Sequence, residues 1–155
     1  QFSTLSPIPG FMEWLREQAN SHELGKYDDA VMDVILQKDL DMSTFRKILA
    51  GEANLMDKAV QKELKKIILK LCSHYLLKVK RGDQAFDRVA NFHLTNGARV
   101  ERINWAADLS DNGIEQSAGL MVNYLYDLPH IEANHEIYRS NGEIAASSAV
   151  KKMLR

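Results

Sequence analysis

Gly119-Leu120-Met121-Val122-Asn123-Tyr124-Leu125-Tyr126 offers large apolar or aromatic side chains at odd and even positions alike. A strand covered on both faces needs that pattern, so this stretch predicts a central strand around which the other elements are arranged. Asn123 is the exception within it. A buried amide without partners costs about 1–3 kcal/mol, so its side chain is expected to bond backbone or to face a site.

Upstream, Val100, Ile103 and Trp105 predict a second strand, and the spacing from Val100 to Ile103 breaks strict alternation as a bulge would. Asp111-Asn112-Gly113 reads as a turn between the two strands. Before them, residues 84–94 predict a short helix ended by Asn96-Gly97, and Lys80-Arg81-Gly82-Asp83 a loop. From Met56 to Lys78 the apolar positions Val60, Leu64, Ile67, Ile68, Leu71, Tyr75 and Leu76 step by three and four, predicting a long amphipathic helix. Residues 27–50 predict broken helix, with Asp41-Met42-Ser43 as a start, Ser43 as a cap and Gly51 as a stop. Phe2 to Ser6 predicts a short strand ended by Pro7, after which Pro9 and Gly10 turn the chain into a helix over Phe11–Asn20. Downstream, the stretch from His130 to Tyr138 and the tail from Gly142 to Leu154 both predict helix. The class is α+β, helix-rich with few strands, without internal repeat.

Composition narrows the function. The 155 residues, 45% hydrophobic and 26% charged, suit one core. No apolar run reaches the roughly 20 residues a spanning helix needs, so no membrane partner is expected. No basic segment precedes an apolar one at the start, and secretion has no support. Cys72 is the only cysteine, which excludes an internal disulfide, and its neighbours Leu71, Tyr75 and Leu76 mark it as core. Net charge is −1, and the lysines at 58, 62, 65, 66 and 70 carry no interleaved aromatics, so they read as a solvated face and nucleic acid is not an expected partner. The chain opens Gln1-Phe2 in an apolar, β-prone stretch and is read as a single fragment, 1–155, of something longer. A site formed across two halves of a domain would then be half present.

Two segments hold a polar side chain among apolar ones and then break the chain with Pro or Gly. They are Phe2-Ser3-Thr4-Leu5-Ser6-Pro7-Ile8-Pro9-Gly10-Phe11 and Asn91-Phe92-His93-Leu94-Thr95-Asn96-Gly97-Ala98. Ser6 and His93 make a candidate hydroxyl–imidazole pair, although five histidines and many serines also make a chance pairing easy. His93 falls in a last helical turn, where the helix dipole favours imidazolium and raises its pKa unless burial outweighs it. The turn at Gly10 precedes a helix N-terminus that suits an anion, with a plain turn as the alternative. His130, Glu132, His135 and Glu136 form a cluster, but the histidines are five apart where a zinc helix needs four, and no metal is expected. The phosphate-loop, dinucleotide and nucleophile-elbow glycine patterns are all missing from the sequence.

Both segments, together with Val89-Ala90, Arg102-Ile103-Asn104-Trp105 with Ala107-Asp108, the run from Ser117 to Tyr126, and Ile131-Glu132-Ala133-Asn134-His135-Glu136, resemble the C-terminal part of malonyl-CoA decarboxylases. The last run is similar to bacterial members especially, and the likeness is weaker from about residue 20 to 70. The resemblance implies the later half of an acetyltransferase-like (GNAT-type) domain with a helical insertion after the first strand. It matches Ser6 to the family's catalytic serine and His93 to its catalytic histidine, and puts Tyr124 near the site, where a strand-core aromatic is an equal alternative. It also suggests Gly10 as a ligand for the CoA pyrophosphate, although the usual glycine-rich loop is missing.

The implied reaction takes malonyl-CoA to acetyl-CoA and CO2 through a thioester enolate that is protonated at the α-carbon. CoA is part of the substrate and no separate cofactor is implied. The full-length protein is expected to be a homo-oligomer, cytoplasmic if bacterial and in the mitochondrial matrix or peroxisome if eukaryotic. An acyl-CoA-dependent acyltransferase of the same fold and a non-catalytic helical binding module are the competing readings.

Overall fold

The computed structural model describes residues 1–21 and 58–154. In chain order its elements are β1 (Phe2–Ser6), α1 (Phe11–Ser21), α2 (Lys58–Lys78), β2 (Lys80–Arg81), β3 (Gln84–Ala85), α3 (Arg88–Thr95), β4 (Arg99–Asn104), α4 (Asp111–Ser117), β5 (Met121–Tyr126), α5 (Leu128–Asn141) and α6 (Ser148–Lys152). The α+β, helix-rich class holds. The broken helix expected over 27–50 lies outside the described residues.

The Met121–Tyr126 stretch is the centre of the sheet. The order is β1-β5-β4, with β5 antiparallel to both neighbours. Thr4 faces Tyr124 and Ser6 faces Val122 across the β1–β5 ladder. Directly opposed residues share a face, so Phe2, Thr4 and Ser6 lie on the same side as Tyr126, Tyr124 and Val122. On β4 the register shifts between Val100 and Arg102, which is the bulge the spacing predicted. Asn123 bonds as expected: its Nδ2 donates to the Thr4 carbonyl at 3.0 Å, and its Oδ1 accepts from Asn104 Nδ2 at 2.8 Å. This polar link ties all three strands together.

The core is built by helix faces closing on the sheet. Phe11 and Leu15 of α1, Leu71, Tyr75 and Leu76 of α2, and Val100, Leu120, Val122 and Tyr124 are all buried. At about 1.5–3 kcal/mol per large apolar side chain, this burial is the main favourable term in folding. Cys72 is buried within it, and burial pushes its thiol well up. Ser73 donates to the Val150 carbonyl at 3.0 Å and so anchors α6 to α2.

Four local expectations are corrected. Lys80–Asp83 is not a bare loop but the start of a hairpin, because Gly82 at φ 64° lets the chain reverse between Arg81 and Gln84. The next helix begins at Arg88 and not at residue 84: Asp87 is extended, at φ −69° and ψ 126°, and caps it by accepting from Ala90 N. Asp111-Asn112-Gly113 opens α4 because Ser110 caps that helix, accepting from Gly113 N at 3.1 Å. The tail is helical only over Ser148–Lys152, since Ala146 bridges Val100 in parallel and occupies the β4 edge. There Val100 N donates to the Ala145 carbonyl, and Ser147 N donates to the Val100 carbonyl, both at 2.9 Å.

Candidate active site

Strand β1 ends in Ser6 because Pro7 cannot continue a ladder, and the side chain is left buried on the sheet face that α3 approaches. Helix α3 presents His93 to that face from its last turn. Ser6 Oγ and His93 Nε2 are 3.1 Å apart although 87 positions separate them in sequence. Two candidates from the sequence are thus brought into hydrogen-bond contact.

Each partner has a second contact. Thr4 Oγ1 lies 3.0 Å from Ser6 Oγ, as expected for i and i+2 on one face of a strand. Tyr126 Oη lies 2.6 Å from His93 Nδ1. The result is a chain of four groups, Thr4–Ser6–His93–Tyr126, in which both ring nitrogens meet oxygen. The ring itself stacks on Tyr124, with centroids 4.3 Å apart and planes 17° apart, and meets Phe92 edge-on at 5.2 Å. Phe2 in turn stacks on Tyr126 at 4.7 Å.

Burial lowers the His93 pKa below its ordinary 6.5. The helix dipole was expected to act the other way unless burial outweighed it, and the net direction is downward. Burial also raises the pKa of Tyr126, and still more that of Tyr124, so both phenols stay neutral. Imidazolium, when it forms, can donate from Nε2 to Ser6 Oγ and from Nδ1 to Tyr126 Oη. Neutral imidazole can hold its proton on either nitrogen and accept at the other.

Tyr124 is wholly buried, and its Oη has no hydrogen-bond partner among the described residues. Gly10 points elsewhere: a Cβ built on it would lie 2.6 Å from Tyr75 Oη, so its bare Cα faces the core. Tyr126 and Thr4 were missed as site residues by the sequence reading. The signal was the shared strand face, since Tyr126 follows Tyr124 by two and Thr4 precedes Ser6 by two.

Asp87, also missed, holds the two halves of the pair in register. Its carboxylate accepts from Ala90 N at 3.0 Å and Tyr75 Oη at 3.0 Å, and also from the backbone N–H groups of Val89 and Gly10. One buried side chain thereby joins the turn after Ser6 to the start of the helix that carries His93. Burial raises the Asp87 pKa, and these donors hold part of that rise back.

Fold and site together define an α+β domain with a buried serine–histidine pair in hydrogen-bond contact. The whole chain, residues 1–155, matches the family model described as the malonyl-CoA decarboxylase C-terminal domain, and the protein belongs to that family. It is 38% identical over 156 residues to the mitochondrial malonyl-CoA decarboxylase of the goose Anser anser anser, covering 96% of this chain and 31% of that one. It is similar to the crystal structure of malonyl-CoA decarboxylase from Rhodopseudomonas palustris, at TM-score 0.76 and 40% identity, covering 98% of this chain and 33% of that one. Against the Agrobacterium vitis malonyl-CoA decarboxylase structure the TM-score is 0.79 with 35% identity, covering 99% and 35%. The chain therefore spans about a third of the length of the relatives it matches.

Proposed function

We propose that the full-length protein decarboxylates malonyl-CoA to acetyl-CoA and CO2, and that Ser6 and His93 are its proton-transfer pair. The observation that carries this reading is the 3.1 Å contact between Ser6 Oγ and His93 Nε2, in a chain of the decarboxylase family. The bond from the α-carbon to the carboxylate breaks, and its electron pair moves into the thioester as an enolate. That carbon must then receive a proton. Ser6 Oγ stands in front of Nε2, so the route the geometry supports is Ser6 Oγ–H to the α-carbon while Nε2–H passes to Oγ. The neutral imidazole left behind is reprotonated from solvent.

Resting His93 is held neutral by burial, and the substrate carboxylate reverses that balance. An anion within about 4–6 Å favours imidazolium, so the proton is taken up with malonyl-CoA and is in place when CO2 leaves. We assign the domain the later half of an acetyltransferase-like fold, shared with an N-terminal portion that completes the CoA site. Tyr124 lines the proton-transfer centre from beneath, and Gly10 is the candidate neighbour of the pyrophosphate. Substrate thioester is the partner, in a homo-oligomer, with bacterial cytoplasm as the compartment proposed. Among the described residues no helix is long and apolar enough to cross a membrane.

The test is CO2 release from malonyl-CoA by the full-length protein beside Ser6→Ala and His93→Ala. Each substitution is expected to lower turnover roughly 100-fold or more with folding intact. Near-normal release by His93→Ala would overturn the assignment. Release of free CoA thiol from acetyl-CoA and an amine would favour an acyltransferase instead, and folded protein inert to both thioesters would favour a binding module.

A further inference from the structure

We propose that Thr4 is a positioning residue for the Ser6–His93 pair, accepting the Ser6 hydroxyl proton in the substrate-free enzyme whenever Nε2 carries one and releasing it toward the α-carbon in the reaction. The inference rests on the proton-transfer reading above and follows from counting donors. Ser6 has one O–H. When Nε2 is protonated it donates to Ser6 Oγ, so the serine proton must point elsewhere, and Ser6 is only 6% exposed. Thr4 Oγ1, at 3.0 Å, is the other partner of Ser6 Oγ among the described residues. When Nε2 is unprotonated the same contact reverses: Ser6 donates to the ring, and Thr4 donates to Ser6. A hydroxyl serves both states because it donates and accepts, which neither a carboxylate nor an ammonium does.

The strand makes this geometry stiff. Thr4 and Ser6 are fixed opposite Tyr124 and Val122, and the Thr4 carbonyl is held by Asn123 Nδ2 at 3.0 Å. Thr4 is itself half-buried, so its hydroxyl competes little with solvent for Ser6. The groups packed against His93 are Ser6, backed by Thr4, from β1 and Tyr124 and Tyr126 from β5, with Phe92 on its own helix. Asp87 acts electrostatically on Tyr124 and Tyr75. Removing the Thr4 hydroxyl leaves the buried Ser6 O–H without an acceptor when Nε2 is protonated, whereas with Nε2 unprotonated that O–H still bonds to the ring, so the loss falls mainly on the protonated state and moves no charge.

The experiment uses the full-length protein, labelled with 15N at histidine, as wild type, Thr4→Val, Thr4→Ser and Thr4→Ala. NMR titration of His93 reads its ionisation independently of turnover. Thr4→Val and Thr4→Ala are expected to lower the His93 midpoint by on the order of half to one pH unit, and Thr4→Ser to restore it. Alongside this, kcat on malonyl-CoA should fall about 5- to 20-fold in the first two with KM little changed, and recover in the third. An unchanged midpoint in Thr4→Val overturns the proposal, as does a shift in Thr4→Val that Thr4→Ala does not share, which would mark packing. A shifted midpoint in a protein that releases no CO2 supports the positioning role and overturns only the decarboxylase reading.

Discussion

Tyr126 Oη sits 2.6 Å from His93 Nδ1, on the edge of the imidazole opposite Ser6. The histidine is therefore gripped from both sides, and its Nε2 direction is set by a phenol on the central strand. The Tyr126 pKa is raised by burial, so the phenol remains neutral and works as a hydrogen-bond partner.

Tyr126→Phe should keep the ring packing against Phe2 while removing the Nδ1 partner. Hydrogen bonds to charged groups contribute about 1.5–3 kcal/mol, so kcat/KM should fall roughly 10- to 100-fold, mostly in kcat. Steady-state kinetics of the full-length variant check this. An unaltered kcat would mean that the imidazole is oriented by its stack on Tyr124 alone.

The sheet was legible because its centre carries a pattern that little else produces: Val122, Tyr124 and Leu125 are all buried although they point to both faces. Phe2–Ser6 and the long helix ending at Lys78 were legible for similar reasons of period and punctuation. The errors came where one side chain outvoted local propensity. Asp87 and Ser110 start helices by capping them, and the tail from Gly142 gives up helix because the β4 edge needs a partner. At the site, Ser6 and His93 could be named from their settings and from family likeness. Tyr126 could not, because an aromatic two residues from another on a strand reads equally well as core.

The pH dependence separates free enzyme from complex. Burial puts the free His93 pKa below 6.5. In the proposed mechanism the protonated ring is the active form, so kcat/KM, which reports the free enzyme, should decline as pH rises through a value under 6.5. If malonyl-CoA binds as proposed, its carboxylate should raise that pKa in the complex, so the descending limb of kcat should lie at higher pH. Coincident limbs in the two profiles would exclude proton uptake with substrate.

Asp87 should matter to stability more than its distance from the chemistry suggests. Asp87→Ala removes a helix cap, worth about 1 kcal/mol, and leaves the buried Tyr75 hydroxyl without its acceptor, at about 1–3 kcal/mol more. Asp87→Asn keeps an acceptor and should cost less. Its folded pKa is raised above 3.8, so the native state holds the Asp87 proton more tightly than the unfolded chain does. This contribution is present in full below 3.8 and is lost as pH rises through the folded value. Denaturant unfolding across that window should show the loss in wild type and not in Asp87→Asn.

Gly10 offers a way to separate packing from ligand binding. A Cβ there would press on Tyr75 Oη at 2.6 Å, while the next atoms, Asp87 Oδ1 and Tyr75 Cζ, lie at 3.9 Å in ordinary contact. Gly10→Ala alone should therefore destabilise the protein by roughly 1–3 kcal/mol, the usual cost of overpacking, and any rise in KM would be ambiguous. Tyr75→Phe removes the one atom in conflict. In the double variant the penalty of Gly10→Ala should shrink below that seen with Tyr75 present, a coupling that thermal or denaturant melts can read. With the clash gone, KM for malonyl-CoA in Gly10→Ala/Tyr75→Phe against Tyr75→Phe isolates the ligand role. A KM raised several-fold would put the turn at Gly10 against the CoA pyrophosphate, and an unchanged KM would leave the glycine as a packing residue beneath Ser6.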